Sequence, residues 1–303
     1  MNQLTSLSEL TVADVKAILA SARELKDRFL AGDRPPLLRG RVLTMIFEKP
    51  SLRTRNSFEA AITHLGGGST FLSTKDAGLD GREALADVAR VLGSYADALV
   101  LRTFSQKLIE EFARHAGCPV INGLSDERHP CQALTDAFTV QEVFGDIRGR
   151  KLVFVGDGNN VARSLSIAAA MLEFSFTLCG PRDYWLEESL LADLRAKHAD
   201  ADLVQTEDVP AAVCDADVIY TDVWASMGQE SEADQRKNAF APYQVNAALM
   251  AQAPIECRFM HDLPAKRGLE VTDEVLDGPQ SLAFQQAENR MHLAKGLLAW
   301  LLR

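Results

Sequence analysis

Apolar positions near the start of the chain recur at helical spacing. Val12, Val15, Ile18, Leu19, Ala22, Leu25 and Phe29 share one face, which predicts an amphipathic helix over 9–30. Short apolar runs follow at 41–47, 69–73, 96–102 and 118–122, separated by stretches of helical periodicity. The first of those stretches opens in "FEKPSLRTRN" (47–56), with Phe58, Ala61, Ile62 and Leu65 on one face. Ser51 reads as its N-cap and Gly66 as its C-cap. A further helix starts near Gln132 and turns Leu134, Ala137, Phe138 and Val143 inward.

The pattern breaks at "GDIRGR" (145–150) and then restarts. "KLVFV" (151–155) predicts a strand and 161–173 a helix; "SFTLCG" is a strand and 183–199 a helix. "ADVIYTD" and "RFMHDLP" are two more strands, and Ala287–Leu302 is an apolar-rich helix that can fold back onto either half. Strands alternating with helices predict parallel sheets covered on both faces. The expected fold is therefore α/β, with two doubly wound parallel-sheet domains, 1–145 and 146–286, and a C-terminal helix 287–303. The polar stretch "SMGQESEADQRKNAFAP" (226–242) follows a strand end. It reads either as a solvated surface segment or as a lid over a site at the strand ends.

Composition narrows the function. The chain has 303 residues, 47% of them hydrophobic, and no apolar run near the ~18 residues of a membrane span. Its net charge of −10 argues against a nucleic-acid or anionic-membrane surface. Five cysteines (118, 131, 179, 214, 257) lack C-x-x-C spacing, and "MNQLTSLSEL" lacks the layout of a leader peptide. A reduced, cytoplasmic compartment is expected, with neither disulfides nor a structural metal.

Against that negative field, Arg53 and Arg55 sit in the first turn of a predicted helix, where the macrodipole disfavours cations by about 0.3–1 kcal/mol each. A bound anion reverses the sign, because a helix N-terminus already offers N–H groups to oxyanions. Ser51 and Thr54 add hydroxyls and Arg53 adds a planar fork. Two residues apart on a helix, the arginines point in nearly opposite directions, so Arg53 is expected to face the anion and Arg55 to enter an ion pair. Arg102 ends a strand, His129 and Gln132 stand at a loop-to-helix transition, and Arg290 lies on the last helix. "GDGNN" (156–160) follows a strand but has Val161 where a dinucleotide fingerprint needs its third glycine, so no nicotinamide cofactor is expected.

Six motifs, "FEKPSLRTR", "HPCQALTD", "GDGNN", "DVWASMGQE", "FMHDLP" and "AENRMH", occur in the order and approximate spacing of the carbamoyltransferases. The chain resembles that family over nearly its whole length, and within it the ornithine-specific branch. The resemblance implies a carbamoyl-phosphate domain, an ornithine domain, a final helix returning to the first domain and a homotrimer with shared sites. It implies that Ser51, Leu52 (through its backbone), Arg53, Thr54 and Arg290 hold phosphate. Arg102 and His129 would contact the carbamoyl carbonyl and Gln132 its amide, with Asp262 and Leu263 also at the carbamoyl phosphate. Asn160, Asp222, Ser226 and Met227 would hold ornithine, and Thr54, Arg102, His129 and Asp262 would carry the chemistry. No cofactor is implied.

Three positions depart from the family pattern. Leu52 replaces the usual Thr, as in enzymes acting on acylated ornithines. Gly78 stands where relatives carry a Gln or His that reaches a neighbouring subunit. Gly81, where aspartate-specific relatives carry Lys, argues against that branch. Asp262 replaces Cys in "HCLP". Close to Asp222 it is expected either to share a proton, forming a base for the amine, or to pair with the substrate α-ammonium. It could also shift specificity to another amine. The alternatives are a carbamoyltransferase for an acylated ornithine or other amine, and a catalytically silent carbamoyl-phosphate-binding paralogue.

Overall fold

The computed structural model describes residues 2–79, 81, 83–225, 228 and 230–303. The chain divides into two compact units, one of residues 1–138 and 288–303 and the other of 139–287.

In the first unit the elements run α1 (Val12–Leu30), β1 (Val42–Phe47), α2 (Leu52–His64), β2 (Gly68–Ser73), α3 (Leu85–Tyr95), β3 (Ala98–Arg102), α4 (Gln106–His115) and β4 (Val120–Leu124). Helix α5 (Pro130–Phe144) follows. Helix α1 starts three residues later than the periodicity predicts, because Thr11 and Asp14 close a reciprocal capping box. Among the described residues the strands form a four-stranded parallel sheet in the order β2-β1-β3-β4. Ile46, Leu99, Leu101, Ile109, Phe112 and Val120 fill one side of it.

The second unit continues with β5 (Lys151–Val155), α6 (Asn160–Leu172), β6 (Ser175–Cys179), α7 (Glu188–Lys197), β7 (Leu203–Thr206), α8 (Val209–Val213) and β8 (Val218–Tyr220). It ends with α9 (Ala233–Phe240), α10 (Ala247–Met250), β9 (Arg258–Met260), α11 (Asp273–Leu276) and α12 (Ala283–Leu302), whose C-terminal part belongs to the first unit. The parallel sheet has the order β7-β6-β5-β8-β9. The periodicity misses β7, an edge strand of four residues with one buried position. It also starts α12 four residues too late, since Ser281 Oγ accepts from Ala283 N at 3.4 Å at the helix start.

Both sheets reverse direction near their middle, between β1 and β3 in one and between β5 and β8 in the other. Open α/β sheets form a crevice beyond the carboxyl ends of the strands at such a reversal. The two constellations described next lie there.

Candidate active site

In the first unit, Ser51 is extended (φ −154, ψ 108) and its Oγ accepts from Thr54 N at 3.2 Å, so α2 begins at Leu52 as the motif predicts. Leu52 is 73% exposed, which leaves its main chain as the part committed to the helix start. Arg55 Nε donates to Glu59 Oε1 at 2.9 Å and its guanidinium lies 3.8 Å from the Phe71 ring centroid. It has the structural ion pair expected of it.

Thr54 is buried and its hydroxyl oxygen accepts two guanidiniums: Arg102 Nη1, from the end of β3, at 3.3 Å and Arg290 Nη2, from α12, at 2.7 Å. Arg290 Nη1 also donates to Gln132 Oε1 at 2.5 Å, and Gln132 Nε2 donates to Asp136 Oδ1 at 2.7 Å. Arg102 and Arg290 are 9% and 8% exposed. Their donor nitrogens lie no more than ~6 Å apart, and at an effective dielectric of ~20 the two charges repel by about 3 kcal/mol. An anion reaching both guanidiniums would offset that repulsion.

His129 is buried beside them, and burial first, then Arg290 and Arg102, hold its imidazole well below its usual range. It is neutral at pH 7. The unfolded chain titrates this group near ~6.5, so below that pH it binds a proton that the folded state refuses. Stability contributed here is present at neutral pH and is lost as pH falls from ~6.5, by up to about 1.4 kcal/mol per unit. His129→Asn is expected to flatten the acid limb of stability against pH by about one proton, measured by urea unfolding across pH 5–7.

In the second unit three neighbouring strand ends supply the groups. After β5, Gly158 lets the chain pass close to its neighbours: a Cβ there would stand 2.7 Å from Tyr184 O and Leu186 N. Asn159 then caps α6, its Oδ1 accepting from Val161 N at 2.9 Å and Ala162 N at 3.0 Å. Its Nδ2 donates to Asp222 Oδ2, after β8, at 2.7 Å. Asp222 is 8% exposed, takes a second bond from Val223 N at 2.6 Å, and has a carboxylate oxygen within 4.8 Å of one of Asp262, after β9. Burial first, and Asp262 second, push the Asp222 carboxyl well above its usual range. Asn159→Ala removes both cap bonds and the Asp222 contact, an expected loss of about 2–3 kcal/mol. Asn159→Ser, which keeps a cap, is expected to recover about 1 kcal/mol of it, both read from urea midpoints.

Behind Asp262, His261 is fully buried: Nδ1 accepts from Leu263 N at 2.9 Å, so Nε2 carries the proton and faces Glu270 Oε1 at 3.2 Å. Glu270 Oε1 also accepts from Lys266 N at 2.5 Å. These bonds hold Leu263 at φ 58, a left-handed conformation that leucine adopts only under constraint. Asp222, His261 and Asp262 have ligand atoms within 4.8 Å of one another, a spacing a metal ion could use. Both imidazole nitrogens are already engaged, so the trio offers two carboxylates rather than three ligands.

Thr54, Arg102, Gln132 and Arg290 are thus joined by hydrogen bonds, with His129 close enough to feel both guanidiniums. Ser51, Leu52 and Arg53 form the adjoining helix start. Asp222, Asp262 and Leu263 gather in the second unit, and Asn160 is the first residue of α6, where its carbonyl accepts from Ser164 Oγ at 2.9 Å. Ser226 and Met227 lie outside the described residues. The rest of the polar stretch is not simply solvated: on α9, Phe240 is fully buried and Arg236 is 7% exposed. Arg236 Nη1 donates to Asp157 Oδ2 at 2.6 Å and to Trp224 O at 3.1 Å.

Sequence reasoning missed Asn159, the Asp157–Arg236 pair and the His261–Glu270 pair. An Asn before a helix signals a cap, but nothing local announces the partners of the other groups. At Gly78 the backbone has φ 71, a conformation that favours glycine.

Residues 2–142 match the family model of the aspartate/ornithine carbamoyltransferase carbamoyl-P binding domain, and residues 148–301 that of the Asp/Orn binding domain. The chain is 48% identical to an ornithine carbamoyltransferase of Anoxybacillus flavithermus, over 99% of this chain and 98% of that one. It is also 48% identical to one of Bacillus subtilis, over 97% and 92%. The solved ornithine carbamoyltransferase of Pyrococcus furiosus superposes with a TM-score of 0.96 at 46% identity, covering 99% of this chain and 97% of that one. The Thermus thermophilus enzyme gives 0.90 at 38% identity, covering 99% of each. With both family models matched in order and two buried polar centres at the reversal points of its sheets, the chain belongs to the aspartate/ornithine carbamoyltransferase family.

Proposed function

We infer that the chain transfers the carbamoyl group of carbamoyl phosphate to the side-chain amine of L-ornithine, giving L-citrulline and phosphate in arginine biosynthesis. The observation that carries this reading is the convergence of Arg102 and Arg290 on Thr54 Oγ1, beside a neutral His129; Thr54, Arg102 and His129 lie in the residues matched by the carbamoyl-P binding model. A charge arrangement unfavourable by itself becomes favourable around a phosphate dianion.

The roles follow from chemistry. Ser51, Arg53, Arg290 and the backbone of Leu52 hold the phosphate. Thr54, Arg102 and His129 are donors for the oxyanion that develops on the carbonyl, a contribution worth several kcal/mol. Gln132 orients the carbamoyl amide, and Asp262 and Leu263 also contact the transferred group. Asn160, Asp222, Ser226 and Met227 hold the amino acid. Residues 1–145 with the C-terminal helix serve carbamoyl phosphate, and residues 146–286 serve ornithine. Neutralising the phosphate charge makes it a good leaving group without a metal or organic cofactor.

We place the enzyme in the cytoplasm as a homotrimer. All five cysteines are unbridged, and among the described residues no helix is long and apolar enough to cross a membrane. On the first unit Leu52 and Tyr95 are each 73% exposed, and Val91 and Phe104 each 46%, an apolar surface that subunit contact would cover.

Assays of the purified protein with carbamoyl phosphate and ornithine, acetylornithine, succinylornithine, putrescine or lysine test the substrate. Citrulline formation with ornithine preferred is the expected result. Preference for an acylated ornithine or a diamine would move the assignment within the family, and no product with any amine would make the chain a silent paralogue. Sedimentation equilibrium is expected to give three times the mass of one chain.

A further inference from the structure

We propose that Gln106 is a positioning residue for carbamoyl transfer: its side-chain amide ties the turn before His129 to the N-terminal segment and so sets where the His129 ring stands. This rests on the reading above that His129 meets the carbamoyl carbonyl.

Gln106 is the first residue of α4. Its Oε1 accepts from Asn122 Nδ2, on β4, at 3.0 Å and from Ser125 Oγ, just past that strand, at 2.8 Å. Its Nε2 donates to Thr5 O and to Glu110 Oε1, each at 3.3 Å. Asn122 Nδ2 also donates to Thr5 O, at 3.0 Å. Thr5 is itself fixed against β4, since Leu4 N donates to Val120 O at 2.9 Å and Asn122 N to Leu4 O at 2.7 Å. Thr5, Gln106, Asn122 and Ser125 are all buried. Water does not reach them to replace a lost partner, so each bond constrains its neighbours.

Ser125 carries the constraint to the site. Its Oγ gives its proton to Gln106 at 2.8 Å rather than to Arg128 O, which stands 3.5 Å away. The same Oγ accepts from Arg128 N at 3.1 Å, and Ser125 N donates to Arg128 O at 2.9 Å. These bonds close residues 125–128 into a turn that delivers His129. The His129 carbonyl then accepts from Gln132 N at 3.1 Å and Ala133 N at 3.2 Å, which fixes it to the first turn of α5. The loop after Arg102 is held to the same turn. Thr103 N donates to Leu124 O at 2.9 Å, and Asp126 N to Phe104 O at 3.0 Å. The backbone beside both groups is thus referenced to one buried amide.

That matters because a donor stabilises a developing oxyanion only at hydrogen-bond geometry. A misplacement of ~1 Å can cost about 10²-fold in rate, and a side chain is placed no better than the partners behind it. An amide suits this position: one end accepts from a hydroxyl and an amide, and the other donates to a carbonyl. Leucine offers neither end.

The test compares the wild type with Gln106→Leu, Ser125→Ala and the double variant, with rates taken per folded molecule from the amplitude of the unfolding transition. Each single variant is expected to lower kcat by about 10–100-fold and to leave KM for ornithine within about twofold of the wild type, because ornithine is held in the other unit. The double variant is expected to be no slower than the worse single one, since both changes cut the same link. In the ligand-free proteins the ring NMR signals of His129, assigned by their loss in His129→Asn, are expected to shift in both single variants. Those of His198, in the second unit, are expected to stay. Lower melting temperatures with unchanged kcat in both single variants overturn the proposal, because the network then only stabilises the fold. Unmoved His129 signals overturn it as well. Ser125→Ala, which removes only a hydroxyl, supplies both readouts if Gln106→Leu does not fold. If the wild type makes no citrulline, the functional reading fails, and the ring signals still report separately whether Gln106 sets His129.

Discussion

Arg290→Met is expected to lower kcat/KM for carbamoyl phosphate by about 10³–10⁴ while moving the melting temperature of the ligand-free protein by no more than about 5 °C. On the proposed role of Arg290 the two effects differ, because the same guanidinium is opposed without phosphate and favoured with it. Without an anion its hydrogen bonds include those to Thr54 Oγ1 and Gln132 Oε1, worth about 1.5–3 kcal/mol each when charge-assisted. Against these stand about 3 kcal/mol of repulsion from Arg102 and the desolvation of a cation that is 8% exposed. The balance is small. With a phosphate dianion present, repulsion is replaced by attraction, and losing one partner of a buried charged hydrogen bond costs about 4–6 kcal/mol, hence the fold-change. Phosphate provides a second readout: at 100 times its dissociation constant it should stabilise the wild type by about 2.7 kcal/mol and leave the variant nearly unmoved. Equal protection of both proteins would remove Arg290 from the anion site.

The largest expected effect on stability comes from Arg236→Met. Arg236 binds Asp157 Oδ2, Trp224 O and, through Nε, Glu232 Oε2 at 3.0 Å, with its guanidinium 5.0 Å from the Tyr184 ring centroid. Methionine keeps much of the stem packing but strands Asp157, whose side chain is 12% exposed. Breaking a buried pair from one side costs about 3–5 kcal/mol, roughly 10 °C for a chain of this size. Asp157 already titrates above the usual carboxylate range through burial, with Arg236 pulling the other way. Its raised folded value means that its ionised form opposes folding, and this penalty fades as pH falls. The stability gap between wild type and variant should therefore narrow toward pH ~4. Asp157→Asn in the Arg236→Met background should recover most of the loss. A gap constant from pH 4 to 8 would mean that packing, not charge, is what Arg236 provides.

Much of this was legible along the chain. The N-cap at Ser51, the ion pair of Arg55, the restart of the pattern after Arg150 and the parallel α/β class all follow from spacing and propensity, and the structure agrees with each. Errors fell where tertiary packing overrides local signal. The edge strand β7 is too short and too exposed for its alternation to stand out. Helix α9 reads as polar, yet its Phe240 and Arg236 are buried against Trp224 and Tyr184.

What the amino-acid order determined unaided was local: most of the segments that are helices or strands, the cap at Ser51, and which residues have the chemistry to hold an oxyanion or an amino acid. Only the tertiary structure decided which of them meet. Thr54 and Arg290 are brought to 2.7 Å from opposite ends of the chain, and Asn159 and Asp222 to the same distance across a sheet reversal. The physical reason is that strand order is chosen by how the helices cover the sheet, a property of the whole unit. Hydrogen bonds and charge coupling fall off within a few ångströms, so the chemistry of Asp222 and Asp262 exists only once β8 and β9 lie side by side.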